Sequence, residues 1–187
     1  GAEERLSVEE KARRERMRQS MRGFTSFELS KDGSFLLIPL SGKLYTYQLR
    51  SGDSSELTPV TEPIDRSGEP IVDPHLSPNG KSVAYVRGRD LYVMELATRR
   101  EKRLMNSTSP VVSYGSAEFI AQEELHRFSG FFWSPDSQHI AFTEVNNQPV
   151  ETLYVGDVLR PEQPPQPLRY PRAGTDNAEV RLGIIAV

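Results

Sequence analysis

The residues of this sequence with the clearest chemical potential lie in one stretch, Ser116–Pro135, which reads SAEFIAQEELHRFSGFFWSP. It contains two adjacent carboxylates, Glu123 and Glu124. Neighbouring carboxylates repel each other, and a cation placed between them relieves that repulsion. A primary ammonium suits this position because it carries three donors, whereas carboxylates only accept. The pair therefore predicts a site for a free amino group, and the alternative is a solvated acidic helix face with nothing bound.

A short helix must position this pair. The apolar residues Ala117, Ile120 and Leu125 recur at roughly helical spacing, and the glutamates lie off that face. The aromatic run Phe131–Trp133 follows and ends in a Ser-Pro-Asp turn signal. We predict a short amphipathic helix that leads into a buried strand, with the aromatic side chains in a core rather than stacked on a substrate.

Similar turn signals recur along the chain and indicate repeated units. Ser30, Ser77 and Ser134 open them, so the two intervals are 47 and 57 residues long. Units of about 40–50 residues with four short strands are typical of β-propeller blades. The longer second interval fits an insertion that carries the Glu123–Glu124 helix.

These repeats predict an all-β fold. We expect an incomplete β-propeller of about three blades of four antiparallel strands, with a short inserted helix and an N-terminal helix. Because a propeller closes with about four to eight blades, we interpret the sequence as a fragment of a longer protein. The third unit is expected to use His139–Val145, Val150–Val158 and Leu168–Tyr170 as strands. The predicted divisions are an N-terminal helical segment at 1–23 and a partial propeller at 24–187, with blade-like units at about 24–60, 72–105 and 128–187 and the inserted acidic helix at 113–127.

The N-terminal segment has a different pattern. Ser7 and Glu10 match a capping box, which predicts a helix over about 8–21. Its apolar residues are sparse, so we expect it to be mostly exposed, with Glu9–Arg13 and Glu10–Arg14 as i,i+4 ion pairs. The basic run also matches a nucleic-acid patch, but the interleaved glutamates favour a solvated helix.

Composition narrows the function classes. The 187 residues are 36% hydrophobic and 26% charged, with a net charge of −3, which argues against a nucleic-acid partner. No apolar run approaches the roughly 18 residues of a membrane span. The chain has no cysteine, and the spacing of His75, His126 and His139 matches no metal motif, so we predict no metal and no cofactor. His75 and His139 are expected to have structural or solvent-exposed roles.

Three segments, QEELHRFSGFFWSP, HIAFTEVN and LRYPRAGTDNAEV, resemble the dipeptidyl peptidase IV family of prolyl oligopeptidase-like serine peptidases. The segments occur in that family's order, and the resemblance covers about residues 24–187, most strongly after 110. It implies an N-terminal β-propeller whose inserted helix binds the ammonium group of a peptide substrate with a free N-terminus. That role carries over to Glu123 and Glu124. The implied enzyme removes N-terminal dipeptides, Xaa-Pro or Xaa-Ala.

The resemblance also implies a second domain for the chemistry. The sequence has no Gly-x-Ser-x-Gly nucleophile elbow, so no catalytic residue is expected in this chain and the fragment alone should be inactive. The family supplies the nucleophile from an α/β-hydrolase domain C-terminal to the propeller in the same chain. Its members are often homodimers, with contacts largely outside this region, and bacterial relatives are often exported, which favours a periplasmic location over a cytoplasmic one.

One family residue has no counterpart assigned here. The family uses a propeller arginine near the carbonyl of the penultimate residue, in some members from a longer hairpin. The corresponding connection, Pro39–Lys43, is short and contains no arginine. Arg127 lies beside the acidic pair, where a structural salt bridge is the expected role.

A non-enzymatic protein remains as the alternative. Ser-Pro-Asn-Gly turns also occur in TolB-like and WD-type propellers, which are scaffolds for protein partners. The inserted acidic helix and a downstream hydrolase domain distinguish the peptidase from such a scaffold.

Overall fold

The computed structural model describes residues 6, 8–19, 23, 25–49, 57–59 and 69–187. These residues form mostly antiparallel sheet, so the all-β fold class predicted above is confirmed. The helices are α1 (Val8–Arg16) and α2 (Phe119–Glu123). The strands are β1 (Glu28–Leu29), β2 (Phe35–Leu40), β3 (Lys43–Gln48), β4 (Leu57–Pro59), β5 (Ile71–Leu76), β6 (Ser82–Arg87), β7 (Asp90–Glu95), β8 (Glu101–Met105), β9 (Val112–Tyr114), β10 (Phe131–Trp133), β11 (His139–Asn146), β12 (Thr152–Val155), β13 (Gln166–Arg169) and β14 (Glu179–Ala186).

Two sheets have the meander order of a propeller blade. The first sheet is β1-β2-β3-β4 and the second is β5-β6-β7-β8, with antiparallel pairing throughout. In the second sheet, side chains of the Ser-Pro turn bond to backbone groups of the same turn. Ser77 Oγ accepts the amide hydrogen of Ser82 at 3.0 Å, and Asn79 Oδ1 accepts that of Lys81 at 3.0 Å. The side chains thus satisfy backbone donors that the turn leaves free.

The second sheet lies between two apolar cores because β6 is buried on both faces. Val83 and Tyr85 join a cluster that includes Leu37 and Leu44 of the first sheet. Ala84 and Val86 point the other way, into a cluster that includes Phe131, Ile140 and Phe142 of the third sheet. Side chains alternate along a strand, so one strand serves both cores.

The third sheet differs from the prediction in its third strand. Val150–Val158 and Leu168–Tyr170 were expected to follow β11 in this sheet, but β12 and β13 pair with each other in a separate two-stranded sheet. The third position belongs to β14, which pairs with β11 from His139↔Ala186 to Asn146↔Glu179. A turn with a hydrogen bond from Val150 N to Asn147 O diverts the chain after β11, so an excursion separates the two paired strands.

The other edge of β11 is shared by two strands. β10 pairs along it from Phe131↔Phe142 to Trp133↔Ile140, and β9 pairs from Val112↔Asn146 to Tyr114↔Glu144. The segment between β9 and β10 contains α2. The helix is therefore an insertion in one edge of the third sheet, between the two strands that share that edge.

The N-terminal helix is shorter than the predicted 8–21. It ends at Arg16 because Arg18 adopts φ +56°, and the amides of Arg18 and Gln19 then donate to the carbonyls of Glu15 and Arg14. This is a Schellman C-cap. Residues 20–22 lie outside the described residues. The Glu10–Arg14 pair is confirmed at 2.9 Å, whereas the side chain of Glu9 lies outside the description.

The expected exposure of α1 is wrong for one face. Arg14 is only 9% exposed, and Arg13 and Arg16 are partly buried against the rest of the protein. The segment has few apolar residues, but its arginines carry long aliphatic stems that cover apolar surface.

Candidate functional site

The acidic pair is held by a single-turn helix with well-defined ends. Glu118 is the N-cap of α2, and its Oε2 accepts the amide hydrogen of Ala121 at 2.6 Å. Ala121 is fully buried, and its carbonyl accepts the amide hydrogen of Arg127 at 2.9 Å. α2 is thus anchored on one side and capped at both ends. It is also shorter than the predicted segment 113–127, whose first residues belong to β9.

The two predicted site residues end this helix. Glu123 is its last residue and Glu124 is its C-cap. The side chain of Glu123 is 32% exposed, and its Oε1 lies 3.6 Å from Arg16 Nε. Glu124 is exposed, and its side chain forms no hydrogen bond or ion pair with the part of the chain that the structure describes. The site therefore has one carboxylate facing an arginine and one with free acceptor capacity.

Arg16 is the residue that joins α1 to this site. Its Nη1 donates to Gln122 Oε1 at 3.0 Å, and its guanidinium lies 5.0 Å from the centre of the Phe119 ring. The ring of Tyr170 contacts the same phenylalanine edge-on at 4.9 Å. Burial lowers the pKa of the Arg16 guanidinium, and the carboxylates of Glu123 and Glu15 act in the opposite direction. The guanidinium remains charged at neutral pH.

A second polar cluster connects α1 to the second sheet through Asp73. Arg13 Nη2 donates to Asp73 Oδ1 at 2.7 Å, and His75 Nε2 lies 3.2 Å from the same oxygen. Asp73 has φ +53° at an irregularity in the β5–β6 register between Val72 and His75. A non-glycine residue in this region is uncommon and costs about 1–3 kcal/mol. The irregularity directs this carboxylate towards α1.

His75 has a structural environment, as its position at a strand edge predicted. Its Nε2 lies 3.1 Å from Ser129 Oγ, and its Nδ1 lies 3.7 Å from Glu28 Oε2. Burial alone would lower the pKa of His75, but hydrogen bonds and charge from Asp73 and Glu28 raise it to about 9. The two carboxylates beside the ring thus favour its protonated form. This group of residues connects the first sheet, the second sheet and the loop after α2.

The predictions for Arg127 and for the aromatic run Phe131–Trp133 agree with the structure except at Phe132. Arg127 Nη2 lies 3.5 Å from Glu118 Oε1 and its Nη1 donates to Ser129 O at 2.9 Å, so it forms the predicted structural salt bridge. Phe131 is buried, and Trp133 Nε1 donates to His75 O at 3.1 Å. Phe132 was expected in the core but is 51% exposed, because alternation turns it to the outer face of the third sheet.

A cavity of about 400 Å³ adjoins the acidic helix. Its lining comes from α1, the β6–β7 turn, the segment before α2, Gln122 of α2 itself and the end of β13. Sequence reasoning did not assign its charged residues. The spacing of Arg13 and Arg16, three positions apart and therefore on one helix face, was a signal that could have found two of them. Its charged residues are Arg13, Arg16, Asp73, Arg89 and Arg169.

The comparisons with known proteins agree with this architecture. The family model of the dipeptidyl peptidase IV (DPP IV) N-terminal region matches residues 30–187. The chain is 28% identical to human dipeptidyl peptidase 8, over 93% of this chain and 22% of that protein. It is 32% identical to a probable dipeptidyl peptidase 4 of Neosartorya fischeri, over 74% of this chain and 18% of that protein.

A solved structure shows the same fold. The crystal structure of Porphyromonas gingivalis dipeptidyl peptidase 4 superposes with a TM-score of 0.71 at 20% identity, over 87% of this chain and 24% of that one. The sheets and the family match together define the class as a β-propeller region. The chain belongs to the dipeptidyl peptidase IV N-terminal region family.

The match covers a limited part of these relatives. The chain spans about a fifth to a quarter of their length, 22% of the human protein and 24% of the bacterial one. In the part of the chain that the structure describes, neither helix has the length and apolar character needed to span a bilayer.

Proposed function

We propose that this chain is the substrate-positioning propeller portion of a dipeptidyl peptidase IV-like serine exopeptidase. The whole enzyme removes N-terminal dipeptides from Xaa-Pro and Xaa-Ala peptides. The observation that carries the proposal is the position of Glu123 and Glu124 at the accessible end of α2, a helix whose Gln122 lines a cavity of about 400 Å³.

The geometry around the pair supports an ammonium ligand. Arg16 Nε is 3.6 Å from Glu123 Oε1, longer than a normal hydrogen bond, so this carboxylate keeps acceptor capacity. Glu124 has no competing partner among the described residues. An ammonium group has three donors to distribute between two such carboxylates. Each charge-assisted hydrogen bond contributes about 1.5–3 kcal/mol.

Anchoring the amino group determines where the chain is cut. With the ammonium held at α2, the peptide bond after the second residue lies at a constant distance from the anchor. The nucleophile, base and oxyanion hole would come from an α/β-hydrolase domain of the same protein. The propeller's contribution to the rate is then positional.

The test compares a free-amino Xaa-Pro chromogenic substrate with its N-acetylated form in the full-length protein. Glu123→Gln and Glu124→Gln should each lower kcat/KM for the free amine at least tenfold, about 1.4 kcal/mol. The acetylated form should be a poor substrate in all variants. Glu162→Gln is the matched control, because Glu162 is an exposed glutamate in the loop between β12 and β13.

Other outcomes point elsewhere. Equal cleavage of both substrates, unaffected by the two substitutions, would indicate an endopeptidase or esterase-like relative. Absence of cleavage with a properly folded protein would support the non-catalytic TolB-like or WD-type scaffold instead.

A further inference from the structure

Positive charge dominates the cavity beside α2. Arg13 is paired with Asp73 at 2.7 Å, and Arg16 faces Glu123 at 3.6 Å. These two arginines are therefore compensated by carboxylates. Among the described residues, the charged members of the lining are four arginines and one aspartate, so two guanidinium groups have no anionic partner within this set.

Those two groups are Arg169 and Arg89. Arg169 Nη1 donates to the carbonyls of Asn147 and Val150 at 2.8 and 2.7 Å, which hold the guanidinium in place without neutralising it. Arg89 lies in the turn between β6 and β7 and is exposed. It forms no side-chain hydrogen bond or ion pair with the described residues. A concave site lined by charge of one sign attracts ligands of the opposite sign.

The cavity is next to the amino anchor. Gln122 lines it and is bonded to Arg16, which in turn faces Glu123. A peptide side chain starts at Cα, one bond of about 1.46 Å from the amino nitrogen. The first residue of a peptide whose ammonium is bound at Glu123 and Glu124 would start its side chain at this end of α2, where the neighbouring Gln122 lines the cavity.

We propose that the cavity receives the side chain of the substrate's first residue and selects acidic side chains over basic ones, with Arg89 as the specificity-determining residue. The inference rests on the proposed function of Glu123 and Glu124. A carboxylate accepts two parallel hydrogen bonds from a guanidinium, whereas a lysine or arginine side chain would add like charge. Discrimination thus combines an attractive and a repulsive contribution.

The experiment measures binding of the dipeptides Glu-Pro, Gln-Pro and Lys-Pro to the full-length protein by calorimetry at low salt. Glu-Pro and Gln-Pro have nearly the same shape and differ in charge. Wild type should bind Glu-Pro about fivefold more tightly than Gln-Pro, and Lys-Pro more weakly than either. Arg89→Gln should abolish the difference between Glu-Pro and Gln-Pro, and Arg89→Lys should retain most of it.

Arg181→Gln is the matched control, because Arg181 is a β14 arginine with a 79% exposed side chain outside the cavity lining. It should leave all three affinities unchanged. Equal affinity for Glu-Pro and Gln-Pro in wild type, or an acidic preference that survives Arg89→Gln, would overturn the proposal.

The anchor is tested separately by Glu123→Gln with the neutral dipeptide Gln-Pro. Loss of Gln-Pro binding supports the anchor whatever the result at Arg89. Unchanged Gln-Pro binding, together with an acidic preference that depends on Arg89, would overturn the amino anchor. It would still support the cavity as a subsite for acidic side chains.

Discussion

The guanidinium of Arg16 lies 3.6 Å from the carboxylate of Glu123, so the N-terminal helix contacts the acidic helix directly. The same arginine donates to Gln122 and lies over the ring of Phe119. One side chain therefore makes three kinds of contact with α2. The position of α1 and the electrostatic environment of the proposed amino anchor are coupled through it.

Removal of this side chain should loosen α1. We expect Arg16→Ala to weaken the docking of α1 by about 1–2 kcal/mol, because a charged hydrogen bond and a cation–π contact are lost together. Hydrogen exchange of the α1 amides measures this directly. Lys11→Ala is the control, since Lys11 is an exposed residue of the same helix. Equal exchange rates in the two variants would contradict the coupling.

The N-cap residue Glu118 should contribute to the stability of the fold, whereas Glu124 should not. The side chain of Glu118 caps the helix and lies 3.5 Å from Arg127, whereas the side chain of Glu124 has no partner among the described residues. We expect Glu118→Ala to lower the free energy of unfolding by about 1 kcal/mol and Glu124→Ala to leave it nearly unchanged. Urea denaturation of both variants checks this. A comparable loss in Glu124→Ala would mean that Glu124 has a structural role.

Stability should depend on pH through His75. A histidine whose pKa is raised in the folded protein stabilises that state while protonated. Its contribution is fully present below the unfolded value of about 6.5 and is lost as the pH rises through about 9. The urea midpoint of wild type should therefore decrease between pH 7 and pH 9.5.

His75→Gln isolates this effect from other titrating groups. The charged groups that surround His75 are Asp73, Glu28 and, through Asp73, Arg13. The difference in unfolding free energy between wild type and the variant should shrink as the pH rises. A difference that is constant over this range would rule out His75 as the titrating group.

The placement of β14 can be tested at Gly183. A Cβ atom at this position would lie 2.5 Å from Cζ of Phe142, which is buried in the core between the second and third sheets. We expect Gly183→Ala to cost about 1–3 kcal/mol through overpacking. At Gly156 the corresponding Cβ would meet no atom within 4 Å, so Gly156→Ala serves as the control. Unchanged stability in Gly183→Ala would contradict the β11–β14 pairing.

The outer face of the third sheet should promote association of the isolated chain. Phe132 pairs with Ala141, which pairs with Ile184, so these residues share one face, and Leu182 follows on β14 with 73% exposure. An apolar face of this kind favours self-association. Sedimentation of the isolated chain should show oligomers that diminish in Leu182→Lys. A compact monomer at all concentrations would be the contrary result.

Much of the fold could be predicted because its signals are local. The Ser77 turn is made by side-chain bonds to residues at most five positions away, so its residues carry the pattern themselves. The continuous apolar run Val83–Val86 is likewise a local signal, because such runs are typical of strands buried on both faces. The acidic pair was found from its residue types and from the family resemblance, and the structure places it on the predicted short helix.

The contacts around Glu123 and Glu124 depend on tertiary structure. Arg16 and Gln122 are 106 positions apart, and Arg13 and Asp73 are 60 apart, so no spacing in the sequence relates them. The direction of the Asp73 side chain depends on a register irregularity between two strands. The cationic cavity follows from these long-range placements rather than from any local motif.

The sequence by itself determined the repeated turns, the alternating strands and the candidate amino anchor, because neighbouring residues establish these features. Only the tertiary structure decided that β14 and not β12 completes the third sheet and that α1 packs on α2. The physical reason is that every strand edge offers the same backbone donors and acceptors. The choice between candidate partners depends on which pairing buries apolar side chains such as Ile185 and Phe142 in a shared core.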